Sequence, residues 1–459
     1  MDSLLSRWRW PVYGLLVYLP VSGIAVLAAY PGRTDRAVAV LAKDFVFVIP
    51  AYVLFLGYFL LRRTRFWFRG APLVLFGLLA LVVVVQAFNP ELPNHLVGLI
   101  GIKVWLFYIP LFFLGYHLVK NREHLFRVLG LMSLVAIVPA VIGLVEVVLY
   151  YTGHAQTVYD AYGASAASAT QDFTTFVLSN GCTIRRVPST FSFFYQYYLF
   201  GAAMVAVSFA WWRASRPAGR QLWAAGVVFL VIFVAAMFSG VRLAFIVIPL
   251  LLAAIIALAA RSANRLPWSG LAIGVACFAI AGGTAAGVCG FAAHISQTTT
   301  EETKDVGVRS VSEAVHKTWL GLGAGSDSTA ARYAFPDVKL ATSVGAVQES
   351  WYVKAYLELG VFGLAIALAL LGTLMYRSAR VHLRLRDPRL KIVSAAILAL
   401  MGWVLLYSLK AQYLDLDPIN IYFWLFAGIL MGLPRLERRE AAEAAEPAEP
   451  EAEPVPAQV

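Results

Sequence analysis

Apolar runs of roughly 20 residues recur along this chain to about position 433, each closed by a short polar or basic segment. A helix rises about 1.5 Å per residue, so a run of that length covers a hydrocarbon core of roughly 30 Å. Lipid offers no partner for backbone N–H and C=O groups, so each run must pair its own and is predicted to be helical. The hydrophobicity is continuous rather than alternating, which argues against a transmembrane β-barrel. With 60% hydrophobic and only 14% charged residues, the 459-residue chain has too little polar surface for a soluble protein. The expected fold is therefore all-α: a polytopic membrane protein of about twelve transmembrane helices. The runs fall at 11–30, 41–61, 71–88, 98–119, 128–151, 191–212, 221–238, 243–260, 268–290, 351–376, 392–410 and 419–433.

A formal net charge of +11 could suit a nucleic-acid partner, but the distribution of the basic residues argues against one. They cluster between runs: Arg62-Arg63-Thr64-Arg65, Lys120 with Arg122 and Arg127, Arg213 with Arg216 and Arg220, Arg377 through Lys391, and Arg435 with Arg438 and Arg439. Such clusters fix the orientation of membrane helices by staying on the cytoplasmic side. Both termini are then expected inside, with residues 1–433 forming one transmembrane domain. Two larger loops, 152–188 and 291–350, are expected on the outer, periplasmic face; the second lies between spans nine and ten and is expected to be helical. Residues 434–459 read as a disordered, acidic cytoplasmic tail of Ala, Glu and Pro. The first run lacks a small-x-small exit and reads as a retained helix rather than a cleaved signal. Cys182, Cys277 and Cys289 show no metal spacing. No phosphate-binding or dinucleotide-binding glycine motif occurs, so neither a metal nor a cofactor is expected.

Chemistry is expected where polar residues depart from the orientation rule. Arg185, Arg186, Arg242 and Arg309 all fall on the predicted outer side. Each guanidinium is a planar, permanently charged fork suited to phosphate oxygens, so several converging from separate loops would clamp a diphosphate. Helix capping or snorkelling is the competing structural role. Glu349, at the head of the tenth run, suits either a helix N-terminal charge or a general base. His316 follows Arg309 by seven residues and is a second proton-transfer candidate. Lys43, Asp44, Lys103 and Glu146 lie at or inside apolar runs, where charges are costly and face a cavity or one another. Lys103 and Glu146 could pair or line a substrate path, which Tyr352 could also line. Glu358 is expected to pair with Lys354 one turn earlier, and the Gly321–Gly325 run to let backbone segments approach closely.

The order of these parts resembles the O-antigen ligase and polymerase superfamily of bacterial envelope enzymes. The likeness covers roughly residues 186–371. It rests on Arg186-Val187-Pro188-Ser189-Thr190-Phe191, on Ser239-Gly240-Val241-Arg242, on Arg309 followed by Trp319-Leu320-Gly321-Leu322-Gly323, and on Glu358-Leu359-Gly360-Val361-Phe362-Gly363. The resemblance implies a metal-independent, cofactor-free glycosyltransferase in the bacterial inner membrane, with its active site facing the periplasm. Its partners would be an undecaprenyl diphosphate-linked glycan, an acceptor glycan or lipid-linked repeat, and membrane lipid. It implies that Arg186, Arg242 and Arg309 hold the diphosphate. The ligases usually carry a His-Asn pair before the Leu-Glu-x-Gly helix; Gln348-Glu349-Ser350 stands there in this chain, which favours a polymerase over transfer to lipid A core. A small-anion or lipid-linked oligosaccharide transporter is the alternative from another class.

Overall fold

The computed structural model describes residues 6–29, 32–63, 70–162, 175–177, 183–215, 220–241, 244–261, 315–316, 318–335, 338 and 350–445. The described chain is helical apart from one short antiparallel ribbon. Its helices are α1 (Arg9–Ala28), α2 (Thr34–Leu61), α3 (Ala71–Ala87), α4 (His95–Leu118), α5 (Arg122–Tyr151), α6 (Ala155–Tyr162), α7 (Phe194–Ala214), α8 (Arg220–Met237), α9 (Ala244–Arg261), α10 (Thr329–Ala334), α11 (Trp351–Arg384), α12 (Pro388–Tyr407) and α13 (Ile419–Ala445). The ribbon pairs β1 (Thr175–Val177) with β2 (Thr183–Arg185). Seven of these helices, α1, α2, α4, α5, α11, α12 and α13, are long and apolar enough to cross a membrane; α3, α8 and α9 are apolar but shorter. The ninth apolar run, 268–290, lies outside the described residues.

Helix starts follow local chemistry. The side chains of Asn94 and Asn121 accept from Leu96 N and His124 N, each at 2.9 Å, and so satisfy N–H groups that the first helical turn leaves free. Asp387 does the same for Arg389 N at 2.7 Å, with Pro388 in the first turn, where its missing N–H costs nothing.

The core is built around α7. Every residue from Tyr197 to Ala210 is buried, and α5, α8, α9 and α12 pack against it. Because protein rather than lipid surrounds it, α7 tolerates Gln196, three tyrosines and Ser208. Helices α4 and α13 approach backbone to backbone. A Cβ on Gly428 would stand 2.0 Å from the Phe112 carbonyl oxygen, and one on Gly115 would stand 2.1 Å from that of Leu425. Small residues are what let two membrane helices touch backbone to backbone, since lipid gives no hydrophobic drive for their association.

One expectation needs correction. The tenth run is not an unbroken helix. Gly360 interrupts α11 with φ 73° and ψ −176°, a region open essentially to glycine. The strap 318–328 fills the break: Val361 N donates to Trp319 O at 3.0 Å, and Leu322 N donates to Leu357 O at 2.7 Å. Irregular backbone among membrane helices survives only where such partners replace the lost helical bonds. The Gly321–Gly325 run does bring backbones together. A Cβ on Gly325, whose φ is +91°, would lie 2.3 Å from Val97 O, and Gly101 lies as tightly against Ala324.

Candidate active site

The segments expected on the outer face gather at one end of the helix bundle, in two neighbouring groups. The first contains Arg185 and Arg186. Arg185 sits over the Tyr150 ring at 5.2 Å and Arg186 over the Phe194 ring at 4.7 Å, and both are half-buried. Their backbone is docked on the turn after α8: Val187 N donates to Ser239 O at 3.1 Å, and a Cβ on Gly240 would lie 2.1 Å from Arg185 O. Beneath them Ser189 N donates to the buried Glu146 carboxylate at 3.0 Å, and the Ser189 hydroxyl donates to Pro139 O at 2.6 Å. Glu146 thus holds the 186–191 segment in place and does not pair with Lys103.

The second group is a set of buried charges that sequence reasoning located only in part. Asp44 and Lys43 are almost wholly enclosed, with side chains 3% and 4% exposed. Lys103 Nζ lies 2.8 Å from Asp44 Oδ2, Tyr108 donates to Asp44 Oδ1 at 2.7 Å, and Lys43 Nζ lies 2.7 Å from Asp417 Oδ2. The charges alternate, Lys103–Asp44–Lys43–Asp417, and the two ends are the more exposed members at 33% and 23%. A π-helical turn, Asp44–Val48, begins at the central carboxylate; such bulges are frequent at functional sites.

The head of α11 carries the rest. Lys354 is fully buried and pairs with Asp415, not with Glu358 as its spacing suggested. Trp351 Nε1 also donates to Asp415, at 3.0 Å. Glu358, equally buried, accepts from Trp105 Nε1 at 2.6 Å and from Asp327 N at 3.0 Å. Asp327 in turn pairs with Arg332. A cavity of about 30 Å³, room for a water molecule, lies between Trp105, Tyr108, Asp415 and Asn420, and so touches both charged sets. Rings connect this group to the arginines: Phe194 and Tyr195 lie 4.4 Å apart, Tyr195 and Tyr413 6.2 Å, and Tyr413 stacks on Tyr407 at 5.0 Å.

The remaining sequence candidates divide plainly. Arg242, Arg309 and Glu349 lie outside the described residues. His316 is exposed on a short helical turn. Tyr352 donates its hydroxyl to Leu405 O at 2.8 Å, which ties it to α12. Asp327, Arg332, Asp415 and Asp417 drew no attention in the sequence. Asp415 and Asp417 carry one signal, two acids two residues apart in a short segment between apolar runs; Asp327 and Arg332 carry none. No cluster of His, Cys, Asp and Glu suited to a metal ion occurs among the described residues. No protein-family model matches the chain, and no curated protein matches its sequence.

Proposed function

We propose that this chain is a polytopic inner-membrane glycosyltransferase of about twelve spans with both termini cytoplasmic. It moves a glycan from an undecaprenyl diphosphate carrier to an acceptor sugar hydroxyl at the periplasmic face, as an O-antigen or exopolysaccharide polymerase. One observation supports the reading: the Arg185-Arg186 segment is docked on Ser239 and Gly240 after α8, so two of the motifs that carry the resemblance, far apart in sequence, share one neighbourhood. A diphosphate is already a good leaving group. What the reaction needs is fixed positive charge where the C–O bond breaks and one base for the acceptor proton. Glu349 and His316 are the sequence candidates for the second role. A single displacement of this kind inverts the anomeric centre.

The test is polymer synthesis from a lipid-linked repeat unit by the purified protein in proteoliposomes. Arg186→Ala and Arg242→Ala are each expected to lower the rate by about 100-fold or more, the usual loss when one preorganised charge donor is removed. Wild-type chain lengths in both variants would end the proposal. Polymer appearing on lipid A core while lipid-linked polymer persists would mark a ligase instead.

A second reading has its own support. Buried, alternating charges beside a helix broken at Gly360 are also the parts from which secondary transporters are made. Counterflow of a small anion or a lipid-linked oligosaccharide across the same proteoliposomes, without bond breakage, would favour transport.

A further inference from the structure

We propose that Asp417 is the carboxylate that receives the acceptor hydroxyl's proton, a role for which the sequence offered Glu349. This rests on the transferase reading above. Asp417 is unlike the other buried acids of the site. The Glu358, Asp327 and Asp415 carboxylates each meet a protein donor or cation on both oxygens, and Asp44 has the Tyr108 hydroxyl on one oxygen and, without a hydrogen bond, the Lys103 cation at 2.8 Å on the other. Asp417 has one oxygen fixed by Lys43 Nζ at 2.7 Å, while its Oδ1 is buried and meets no donor among the described residues.

A buried carboxylate oxygen without a donor is costly, and the cost is relieved by a hydroxyl that binds there. The Asp417 side chain as a whole is 23% exposed. Its terminal torsion is soft, so a modest turn of the carboxylate brings the unpaired oxygen to the exposed side while Lys43 keeps its contact. Lys43 is itself held, by Val40 O at 2.8 Å and by the Asp44 carboxylate at 3.9 Å, so the partner that orients Asp417 does not wander. A base oriented by a third group is the arrangement that general-base chemistry needs.

The step balances. The acceptor O–H bond breaks and its proton goes to Asp417 Oδ1. The oxygen's electron pair forms the new bond to the anomeric carbon, and the carbon–oxygen bond to the diphosphate breaks with its pair leaving on the diphosphate. Lys43 keeps a positive charge beside the carboxylate before the transfer.

The experiment compares Asp417→Asn, Asp417→Glu, Glu349→Gln and the double variant Lys43→Met with Asp417→Asn, assayed for transfer and separately for binding of a fluorescent polyprenyl diphosphate. Asp417→Asn is expected to cut kcat by about 100-fold or more with donor binding unchanged. Asp417→Glu should recover at least about a tenth of the wild-type rate, and Glu349→Gln should be the milder lesion. The double variant removes the ion pair from both sides and so separates pairing from proton transfer; it is expected to stay inactive. Near-normal transfer in Asp417→Asn, recovery in the double variant, or a deeper loss in Glu349→Gln would each overturn the assignment while leaving the transferase reading standing. No transfer by the wild type would overturn both.

Discussion

The residues that most constrain this molecule are charges enclosed among apolar helices. Removing one member of a buried pair leaves the other uncompensated, and that costs about 3–5 kcal/mol even though the intact pair adds little net stability. Asp44→Ala strands Lys103, leaves Lys43 with Asp417 alone and removes the acceptor of the Tyr108 hydroxyl. It should lower stability by at least about 3 kcal/mol, read as loss of the detergent-solubilised fold on heating. Lys103→Ala should be milder, because Lys103 is one-third exposed and Asp44 keeps Tyr108 and Lys43. Equal losses in the two variants would contradict the chain of partners described above. The sequence marked Lys43, Asp44 and Lys103 as costly but not whom they pair with. Apolar periodicity does not record which helices are neighbours, so Glu146 looked as eligible a partner for Lys103 as Asp44. Asp415 and Asp417 escaped notice for a related reason. A short polar segment between two runs reads as solvated, and only the packed structure reveals Lys354 and Lys43 waiting beneath it.

At the level of elements, the length of the apolar runs announced helices well, because the bilayer permits little else. The break in α11 was not legible. Glycine is common in membrane helices, and nothing in Glu358-Leu359-Gly360-Val361-Phe362-Gly363 tells a tolerated glycine from an obligatory one. The distinction lies in the strap, whose Leu320 backbone would stand 2.4 Å from a Cβ at position 360. Gly360→Ala should therefore cost more than the roughly 1–3 kcal/mol of its backbone strain. It should also free the strap, which hydrogen exchange at Leu322 and Val361 would report as faster; unchanged protection at both amides would refute the coupling. The α4–α13 contact permits a sharper test. Gly428→Leu drives a side chain into the Phe112 backbone and should part the two helices, with a loss of at least about 3 kcal/mol. Gly372→Leu, at a glycine with open space around it, should be close to neutral by the same thermal assay.

On the scale of the whole molecule, the two ends of the bundle are built differently. One end holds Arg185, Arg186, the strap and the buried charges. The other is tied by basic segments: Arg122 lies 2.5 Å from Asp387 and also pairs with Glu440, while Glu437 accepts from the backbone N–H groups of Arg386 and Asp387 at 2.7 and 2.6 Å. Helix α13 thus runs on past its apolar part to hold the segments before α5 and α12 together, and residues 434–445, expected to be a disordered tail, begin as helix. The polarity yields a prediction about the membrane itself. If basic segments stay on the cytoplasmic side, single cysteines introduced as Glu91→Cys and Lys410→Cys in a cysteine-free background must both be labelled by an impermeant thiol reagent added outside. Arg63→Cys and Arg386→Cys must be labelled only after the membrane is opened. Glu91 is exposed and Lys410 half-buried, and both belong to segments that meet at the same end through Gln86, Asn89, Leu320, Gly321, Asp327 and Gln412. Opposite labelling of that pair would break the bundle as described. Joint labelling from the wrong side would keep the bundle and turn the arginines toward the cytoplasm, where a periplasmic glycan transfer has no site.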